Sequence, residues 1–150
     1  ARFVAPDAVE VQSEGGRGAA RLDFRRAVVA AGARAAVPNV PGLAGSPYYT
    51  NETIFSLDRR PAHLVVLGGG PIGCELAQAF ARLGTRVTVL DRGARLLARE
   101  EPDASAVVER AMARDGVDVW HGAELRRVEA QSGGASVLHV RQGGADRVVE

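Results

Sequence analysis

The sequence predicts an α/β fold in which helices cover a parallel β-sheet. After residue 62, apolar strand patterns and helical patterns alternate in the order β-α-β-α-β, and this order implies parallel strands joined by right-handed crossovers. Two further strand-like runs with a turn between them follow, which predict a β-meander. The expected architecture is a three-layer parallel sheet with a β-meander crossover, preceded by strands that belong to another domain.

Residues 1–35 are predicted to be the C-terminal part of a first domain. They contain short strand-like patterns and no helical pattern, and their apolar content is too small to close a core by itself. The predicted elements are strands over residues 1–4 and 8–12, a turn over 13–18, and a strand within 20–32 that Gly32 closes.

Residues 36–61 are predicted to be a connector between two domains. The segment is rich in proline, which fixes φ and removes a backbone donor, so a semi-extended chain is expected. One short helical turn is predicted within residues 50–57, with Thr50 or Asn51 as its N-cap. The prolines are Pro38, Pro41, Pro47 and Pro61.

Residues 62–150 are predicted to form the second domain. Its first strand is expected to be buried on both faces. Since a doubly wound domain needs further parallel strands, we expect this domain to be incomplete and the chain to be a segment of a longer protein. The predicted strands are His63–Leu67, Arg86–Leu90 and Val117–Trp120, the helices Pro71–Leu83 and Asp103–Asp115, and the hairpin Leu125–Ala130 with Ser136–Arg141, with a further strand from Arg147.

The two predicted helices have apolar stripes and recognisable ends. Asp103 is predicted to cap the second helix, while Gly84 and Gly116 are predicted to end the first and the second. The inward stripes predicted from helical spacing are Ile72, Leu76, Ala79, Phe80 and Leu83 in the first helix and Val107, Val108, Ala111 and Met112 in the second.

A glycine cluster joins the first strand of this domain to its first helix. Gly68, Gly70 and Gly73 fit the spacing G-x-G-x-x-G within residues 64–75. The first glycine allows a tight turn, the second allows a pyrophosphate to approach the backbone, and the third allows the helix to pack on the sheet. The helix N-terminus, with Pro71 in its first turn, offers unpaired N–H groups and a charge of about +0.5. The pattern predicts a Rossmann-like dinucleotide site; the alternative is a glycine-rich turn without a ligand.

An acidic residue lies at the end of the next strand. Asp91 is placed to accept hydrogen bonds from an adenosine ribose and to repel a 2′-phosphate, which favours NAD over NADP. The alternative is a surface acid at a strand end. Arg92, Arg95 and Arg99 follow, and their alternatives are a contact with a 2′-phosphate or a solvated loop face, so NADP is not excluded.

Two side chains at the start of the first helix have more than one interpretation. Glu75 is either a structural acid that interacts with the helix dipole or a polar contact near the nicotinamide. Cys74 is interpreted as a small core residue rather than a nucleophile. As the one cysteine of the chain, it excludes an intrachain disulfide.

The composition excludes several classes of function. The formal net charge is +1 and all 19 basic residues are arginine, interleaved with acids, which does not indicate nucleic-acid binding. No apolar run is long enough to span a bilayer and no signal peptide is recognised, so a cytoplasmic location is expected. His63, His121 and His139 do not recur at metal-ligand spacing, so no metal site is predicted.

Two motifs together resemble a known family. The stretch GGGPIGCELAQAFARLGTRVTVLDR (68–92) and the upstream stretch VVAAGARAAVPNVPGL (28–43) are similar to segments of the flavoprotein pyridine nucleotide–disulfide oxidoreductases, closest to the mercuric reductase and dihydrolipoamide dehydrogenase branches. In that family the upstream motif, A-T-G-x-x-P-x-x-P-G, marks the exit from an FAD domain into an NAD domain. The resemblance spans nearly the whole chain but only the middle portion of a family subunit.

The resemblance implies a role for each matched residue. Ala31 stands where the family usually has Thr, and Pro71 stands where several members have an aromatic residue that gates the nicotinamide pocket. The implied cofactor contacts are Ala30, Ala31 and Gly32 with FAD, Gly68, Gly70, Pro71, Ile72 and Gly73 with the NAD(P) pyrophosphate, Glu75 near nicotinamide and flavin, Asp91 with ribose, and Leu125 near adenine. Gly69 and Arg92 are further candidate cofactor-binding residues.

The resemblance also implies an activity for the longer protein. It would pass hydride from NAD(P)H to FAD and on to a disulfide or metal acceptor, as a homodimer, whereas this segment alone would be inactive without the rest of its flavoprotein subunit. No residue of the segment is predicted to be catalytic. The alternatives are a related flavoprotein without a redox disulfide, of the NADH oxidase, ferredoxin reductase or nitrite reductase type, and a non-catalytic dinucleotide-binding module.

Overall fold

The computed structural model describes residues 1–12, 15 and 18–150, and it divides into two compact units, Ala1–Arg34 and Ala35–Glu150. Most of the turn predicted over residues 13–18 lies outside the described residues. In the described part of the chain, no helix has both the length and the apolar character that crossing a bilayer requires.

The first unit is a small antiparallel meander. Its strands are β1 (Arg2–Ala5), β2 (Ala8–Gln12) and β3 (Ala19–Asp23), in the order β1-β2-β3. The strand predicted to continue to Gly32 is wrong in its second half, because β3 ends at Asp23 and residues 24–32 have no regular structure. Val28 and Val29 are 92% and 73% exposed. An apolar run forms a strand only where a neighbouring strand pairs with it, and among the described residues none pairs with this one.

The second unit contains the predicted parallel sheet. The strands β4 (His63–Leu67), β5 (Arg86–Leu90) and β6 (Val117–Trp120) are hydrogen-bonded in the order β4-β5-β6. They are connected by α1 (Pro71–Arg82) and α2 (Pro102–Arg114), which confirms the predicted β-α-β-α-β order.

The ends of the helices agree with the predictions except at one cap. Gly84 and Gly116 follow α1 and α2 with φ of +86° and +83°, the left-handed conformation that ends a helix at glycine. Asp103 is not the N-cap of α2, because Pro102 is its first residue and Glu101 is the cap. Proline is suited to this first position since it has no N–H to leave unpaired.

The central strand β5 separates two layers of core. Val87 and Val89 face the helices, in a cluster completed by Cys74, Ala77, Leu96, Met112 and Val117. The strand predicted to be buried on both faces, β4, is only half-buried over His63–Val66, because it is an edge strand of the described sheet. The central β5 is the strand whose side chains are nearly all buried.

The buried face of α1 contains only part of the predicted stripe, of which Phe80 packs against the core cluster. Ile72 and Leu83 are 53% and 68% exposed, whereas the small residues Cys74 and Ala77 are buried against the sheet. In α2 the inward positions predicted for Val108 and Met112 are confirmed, since both pack in this core, whereas Val107 is 56% exposed. Helical spacing alone does not reveal how closely a helix approaches its sheet, and close approach selects small side chains.

An antiparallel meander forms the third layer. Its strands are β7 (Ala123–Ala130), β8 (Ser136–Gln142) and β9 (Ala145–Val149), which confirms the predicted hairpin and third strand. Leu90 lies on the face of β5 opposite to Val89, since side chains alternate along a strand. There it packs with Ala123, Val140 and Val149. The unit is therefore layered as helices, parallel sheet and meander.

Residues 36–61, which are predicted to be the connector, pack against the meander of β7, β8 and β9. This connector contains two 3-10 turns, Leu43–Gly45 and Ile54–Ser56. The N-cap of the second turn is Thr53 rather than Thr50 or Asn51, and the Thr53 hydroxyl accepts a hydrogen bond from the Thr50 amide at 2.9 Å. The Val128 amide of β7 donates to the Pro41 carbonyl at 2.9 Å.

Gly73 is expected to be essential for packing α1 on the sheet. A Cβ at this position would overlap the carbonyl oxygen of Gly68 and approach the side chain of Val66 to 3.5 Å. We expect Gly73→Ala to lower the free energy of unfolding by about 1–3 kcal/mol, as overpacking does. Urea denaturation followed by circular dichroism measures this change.

Gly70→Ala is the matched control for this prediction. Gly70 has φ −76° and ψ 179°, which alanine adopts without strain, and no atom lies within 4 Å of its Cβ position. Its free energy of unfolding should stay within about 1 kcal/mol of the parent value. Equal destabilisation by the two substitutions would contradict the packing role of Gly73.

Candidate dinucleotide-binding site

The glycine loop turns the chain from β4 into α1. Gly68 has φ +101°, and its N–H donates to the Leu90 carbonyl at 2.9 Å. The first helical hydrogen bond of α1 runs from the Cys74 amide to the Gly70 carbonyl at 2.9 Å. The amides of Ile72 and Gly73 lie ahead of that bond, where N–H groups have no intrahelical acceptor. The helix start therefore presents backbone donors and a partial positive charge.

Gly70 and Gly73 contribute to this helix start in different ways. A Cβ on Gly73 would meet the backbone of Gly68, so its hydrogen is required by packing inside the protein. A Cβ on Gly70 would meet nothing within 4 Å, so the space beside it is open. Such an open surface beside a helix N-terminus is suited to an anion that approaches the backbone closely.

Asp91 lies at the carboxyl end of β5, directly beside the glycine loop. Its Oδ2 accepts the Gly69 amide at 2.5 Å and its Oδ1 accepts the Gly93 amide at 2.6 Å. Hydrogen bonds from amides to a carboxylate are among the stronger ones in proteins. Through these two hydrogen bonds, Asp91 connects the glycine loop to the segment that follows β5.

We call residues 92–101 the β5–α2 loop. The Leu97 amide donates to the Gly69 carbonyl at 2.8 Å, so this loop and Asp91 together bind both polar backbone groups of Gly69. Leu96 is fully buried, and a Cβ on Gly69 would overlap its side chain. Ser105 of α2 is also buried, and its hydroxyl donates to the Leu96 carbonyl at 2.6 Å.

Sequence reasoning missed these contacts to Gly69. The second hydrogen bond of Asp91, from the Gly93 amide, does have a local sequence signal. An aspartate two residues before a glycine is typical of an Asx turn. The contacts of Gly69 with Leu96 and Leu97 have no local signal, since they join segments that meet only in the folded chain.

The three arginines of this region differ in their surroundings. Arg95 is half-buried, and its guanidinium donates to the carbonyls of Leu97 at 3.2 Å and Ala98 at 2.8 Å. Arg92 and Arg99 are exposed. Arg95 therefore binds carbonyls of its own loop, whereas the exposure of Arg92 and Arg99 agrees with the alternative of a solvated loop face.

Cys74 is a buried thiol next to the glycine loop. Its Sγ lies 3.5 Å from the Gly69 carbonyl oxygen. Burial, together with the negative charges of Asp91, Glu109 and Glu75, raises the pKa of the Cys74 thiol to about 11. The thiol is therefore protonated at neutral pH and weakly nucleophilic, which agrees with its interpretation as a core residue. Its neighbour Glu75 is exposed on α1.

The remaining predicted site residues lie in β7 of the second unit and in the first unit. Leu125 is half-buried in β7 and packs against the cluster of Leu90, Ala123, Val140 and Val149, so its proximity to adenine stays a prediction. Ala30, Ala31 and Gly32 are exposed residues of the first unit. Within the described residues, no three His, Cys, Asp or Glu side chains lie together as a metal site would require.

Comparisons with known proteins show which proteins the chain is similar to. A family model described as pyridine nucleotide-disulphide oxidoreductase matches residues 3–149. The mercuric reductase of Lysinibacillus sphaericus is 37% identical over 150 residues, which are 100% of this chain and 26% of that protein. The mercuric reductase of Bacillus cereus is 35% identical over 149 residues, which are 99% of this chain and 22% of that protein.

Solved structures are also similar to this chain, in sequence and in fold. The Cu(II) complex of the HOCl-induced flavoprotein disulfide reductase RclA from Escherichia coli has 27% identity and a TM-score of 0.74, over 97% of this chain and 32% of that one. LpdA from Mycobacterium tuberculosis has 26% identity and a TM-score of 0.74, over 93% of this chain and 30% of that one.

The chain spans 26% and 22% of the length of the two mercuric reductases that it matches. The predicted fold class and the predicted family are both confirmed, the first by the layered α/β unit and its structural neighbours, the second by the family match. The chain belongs to the pyridine nucleotide-disulphide oxidoreductase family.

Proposed function

We propose that this chain is the NAD(P)-binding segment of a flavoprotein oxidoreductase that passes hydride from NAD(P)H to FAD and on to a disulfide or metal acceptor. The observation that carries the proposal is the open backbone at Gly70, directly at the N-terminus of α1. A Cβ would fill this space, and a pyrophosphate fits the same requirement for an unobstructed backbone.

The glycine loop would hold the pyrophosphate through its backbone. The amides of Ile72 and Gly73 precede the first helical hydrogen bond and are the donors closest to the helix N-terminus. Pro71, as the first helical residue, has no N–H to contribute and fixes the start of the helix. When bound, the nicotinamide supplies the hydride and the flavin receives it.

Asp91 would bind the adenosine ribose while keeping its contacts to the protein. A carboxylate has about four acceptor positions, and the amides of Gly69 and Gly93 use two of them. The remaining lone pairs suit the two ribose hydroxyls, and the negative charge disfavours a 2′-phosphate, so the proposal names NAD as the preferred cofactor. Arg92 is exposed next to Asp91 and would lie at the rim of this ribose contact.

The other proposed contacts involve the flavin side and the rest of the subunit. Ala30, Ala31 and Gly32 would approach FAD, Glu75 would lie near nicotinamide and flavin, and Leu125 would lie near adenine. The partners would be NAD(P)H and the remainder of the flavoprotein subunit, in a homodimer. A disulfide acceptor needs two thiols, and Cys74 is a single buried one, so the redox thiols would be supplied from outside these 150 residues.

The first test uses Gly70→Ala, which should weaken NADH binding without destabilising the protein. Its methyl group would occupy the space proposed for the pyrophosphate, so we expect the dissociation constant for NADH to rise at least about 10-fold. Fluorescence titration with NADH measures it, and the urea midpoint provides the control. Unchanged affinity, or no saturable binding by the unsubstituted protein below about 1 mM, would contradict the proposal.

The second test concerns cofactor preference. Asp91→Asn removes the charge that disfavours a 2′-phosphate and weakens the ribose contact, so the ratio of NADH affinity to NADPH affinity should fall by about 10-fold. Calorimetric titration with each nucleotide gives this ratio. Asp103→Asn is the matched control, because Asp103 is an exposed acid in the first turn of α2. An unchanged ratio in Asp91→Asn would refute the assignment.

The third test concerns Cys74, which should be unreactive in the native protein. Because the pKa of its thiol is raised from 9.0 to about 11, half of the thiol is ionised only at about pH 11, and very little of it is thiolate in the folded protein at pH 8. We therefore expect slow alkylation by iodoacetamide at pH 8 and rapid alkylation after unfolding in urea, followed by mass spectrometry. Rapid modification of the native protein at pH 8 would show that Cys74 is an activated thiol.

A further inference from the structure

The β5–α2 loop contains a strained residue at its contact with the glycine loop. Leu97 has φ +48°, and among the described residues it is the one non-glycine residue with positive φ. Side chains disfavour this conformation because Cβ approaches the following carbonyl oxygen. Such a residue persists only where its surroundings hold it. The Leu97 amide is the group that donates to the Gly69 carbonyl at 2.8 Å.

The side chain that holds Leu97 belongs to Arg95. One terminal nitrogen of its guanidinium donates to the Leu97 carbonyl at 3.2 Å and the other donates to the Ala98 carbonyl at 2.8 Å. The two carbonyls belong to the peptide groups on either side of the Ala98 Cα, so a planar guanidinium that binds both restricts the rotation of the two peptide groups that follow the Leu97 Cα. The Glu100 amide also donates to the Leu97 carbonyl, at 2.9 Å, so this oxygen has two donors.

We infer that Arg95 is a positioning residue for the dinucleotide, acting through Leu97 and Gly69 rather than by touching the cofactor. Its guanidinium holds the strained Leu97 in the conformation that presents its amide to Gly69. Gly69 directly precedes Gly70, whose open backbone is the proposed pyrophosphate contact. This inference rests on the proposed function of the glycine loop.

The physical reason for such a residue is preorganisation. A pyrophosphate is bound well only if the donors around it already have the right geometry, since ordering them during binding lowers the affinity. Gly68 and Gly70 are glycines with wide conformational freedom. Asp91 and the β5–α2 loop restrict that freedom, because the Asp91 carboxylate accepts the Gly69 amide and the Leu97 amide donates to the Gly69 carbonyl.

The structure offers a matched control for the charge of Arg95. Arg99 is exposed in the same loop and carries the same charge. Arg95→Gln and Arg99→Gln remove one positive charge each, but only the first removes the bridge between the carbonyls of Leu97 and Ala98. Arg95→Lys keeps the charge and loses the planar fork.

The experiment compares NADH dissociation constants of these variants in the protein, at low salt and at high salt. We expect Arg95→Gln to raise the dissociation constant about 5–20-fold at both salt concentrations, because geometry is not screened by ions. Arg95→Lys should remain weakened at least about 3-fold, and Arg99→Gln should change it less than about 2-fold. Hydrogen exchange without nucleotide should accelerate in the peptide containing residues 67–74 in Arg95→Gln and not in Arg99→Gln.

The outcomes separate this inference from the proposed function. If the unsubstituted protein does not bind NADH, the proposed function and the inference both fail. If it binds NADH and Arg95→Gln binds equally well with unchanged exchange, the inference alone fails. Equal, salt-sensitive weakening by Arg95→Gln and Arg99→Gln would also overturn it, because that pattern indicates a general charge effect. A higher dissociation constant with faster exchange, confined to the Arg95 variants, supports it.

Discussion

The geometry of the candidate site depends on the two-sided hydrogen bonding of Gly69. Its amide is bound by the Asp91 carboxylate at 2.5 Å and its carbonyl by the Leu97 amide at 2.8 Å. A buried residue whose N–H and C=O groups both have hydrogen-bond partners has little conformational freedom. These two hydrogen bonds restrict the conformations of the flanking residues Gly68 and Gly70, so a sequence of flexible glycines forms a rigid turn. The same hydrogen bonds join two successive strand ends, β4 and β5, at the carboxyl edge of the sheet.

A second constraint is the close approach of α1 to the sheet. Gly73 leaves no room for a Cβ against the Gly68 carbonyl, and the next buried positions are the small residues Cys74 and Ala77. Small side chains at these positions permit the close approach of helix and sheet, whereas the larger Phe80 packs against the core cluster while only partly buried and Ile72 is 53% exposed. Close packing aligns the start of α1 with the glycine loop and so fixes the direction of its free amides.

Asp91 connects these structural constraints to the proposed chemistry. Its position at the end of β5 is the one from which a carboxylate reaches a ribose, and the structure adds that both of its oxygens accept backbone amides. One side chain would therefore stabilise the loop and select the cofactor. The buried neighbour Cys74 contributes apolar volume, because the high pKa of its thiol, about 11, keeps it uncharged. In the proposed function, this chain would bind the cofactor, whereas the flavin and thiols from outside this chain would carry out the redox chemistry.

Local spacing in the sequence was sufficient to predict the order of the elements, the glycine loop and the acid at the end of β5, and the family was predicted from the resemblance of two motifs to known members. The sequence also predicted the ends of α1 and α2 to within one residue of the observed ones. The folded chain was needed to show which residues of α1 are buried, that residues 24–32 form no strand, and that Leu97 of the β5–α2 loop binds Gly69. These outcomes depend on contacts between segments distant in sequence. Local patterns do not show how closely a helix approaches a sheet, or which backbone groups form hydrogen bonds when two loops meet.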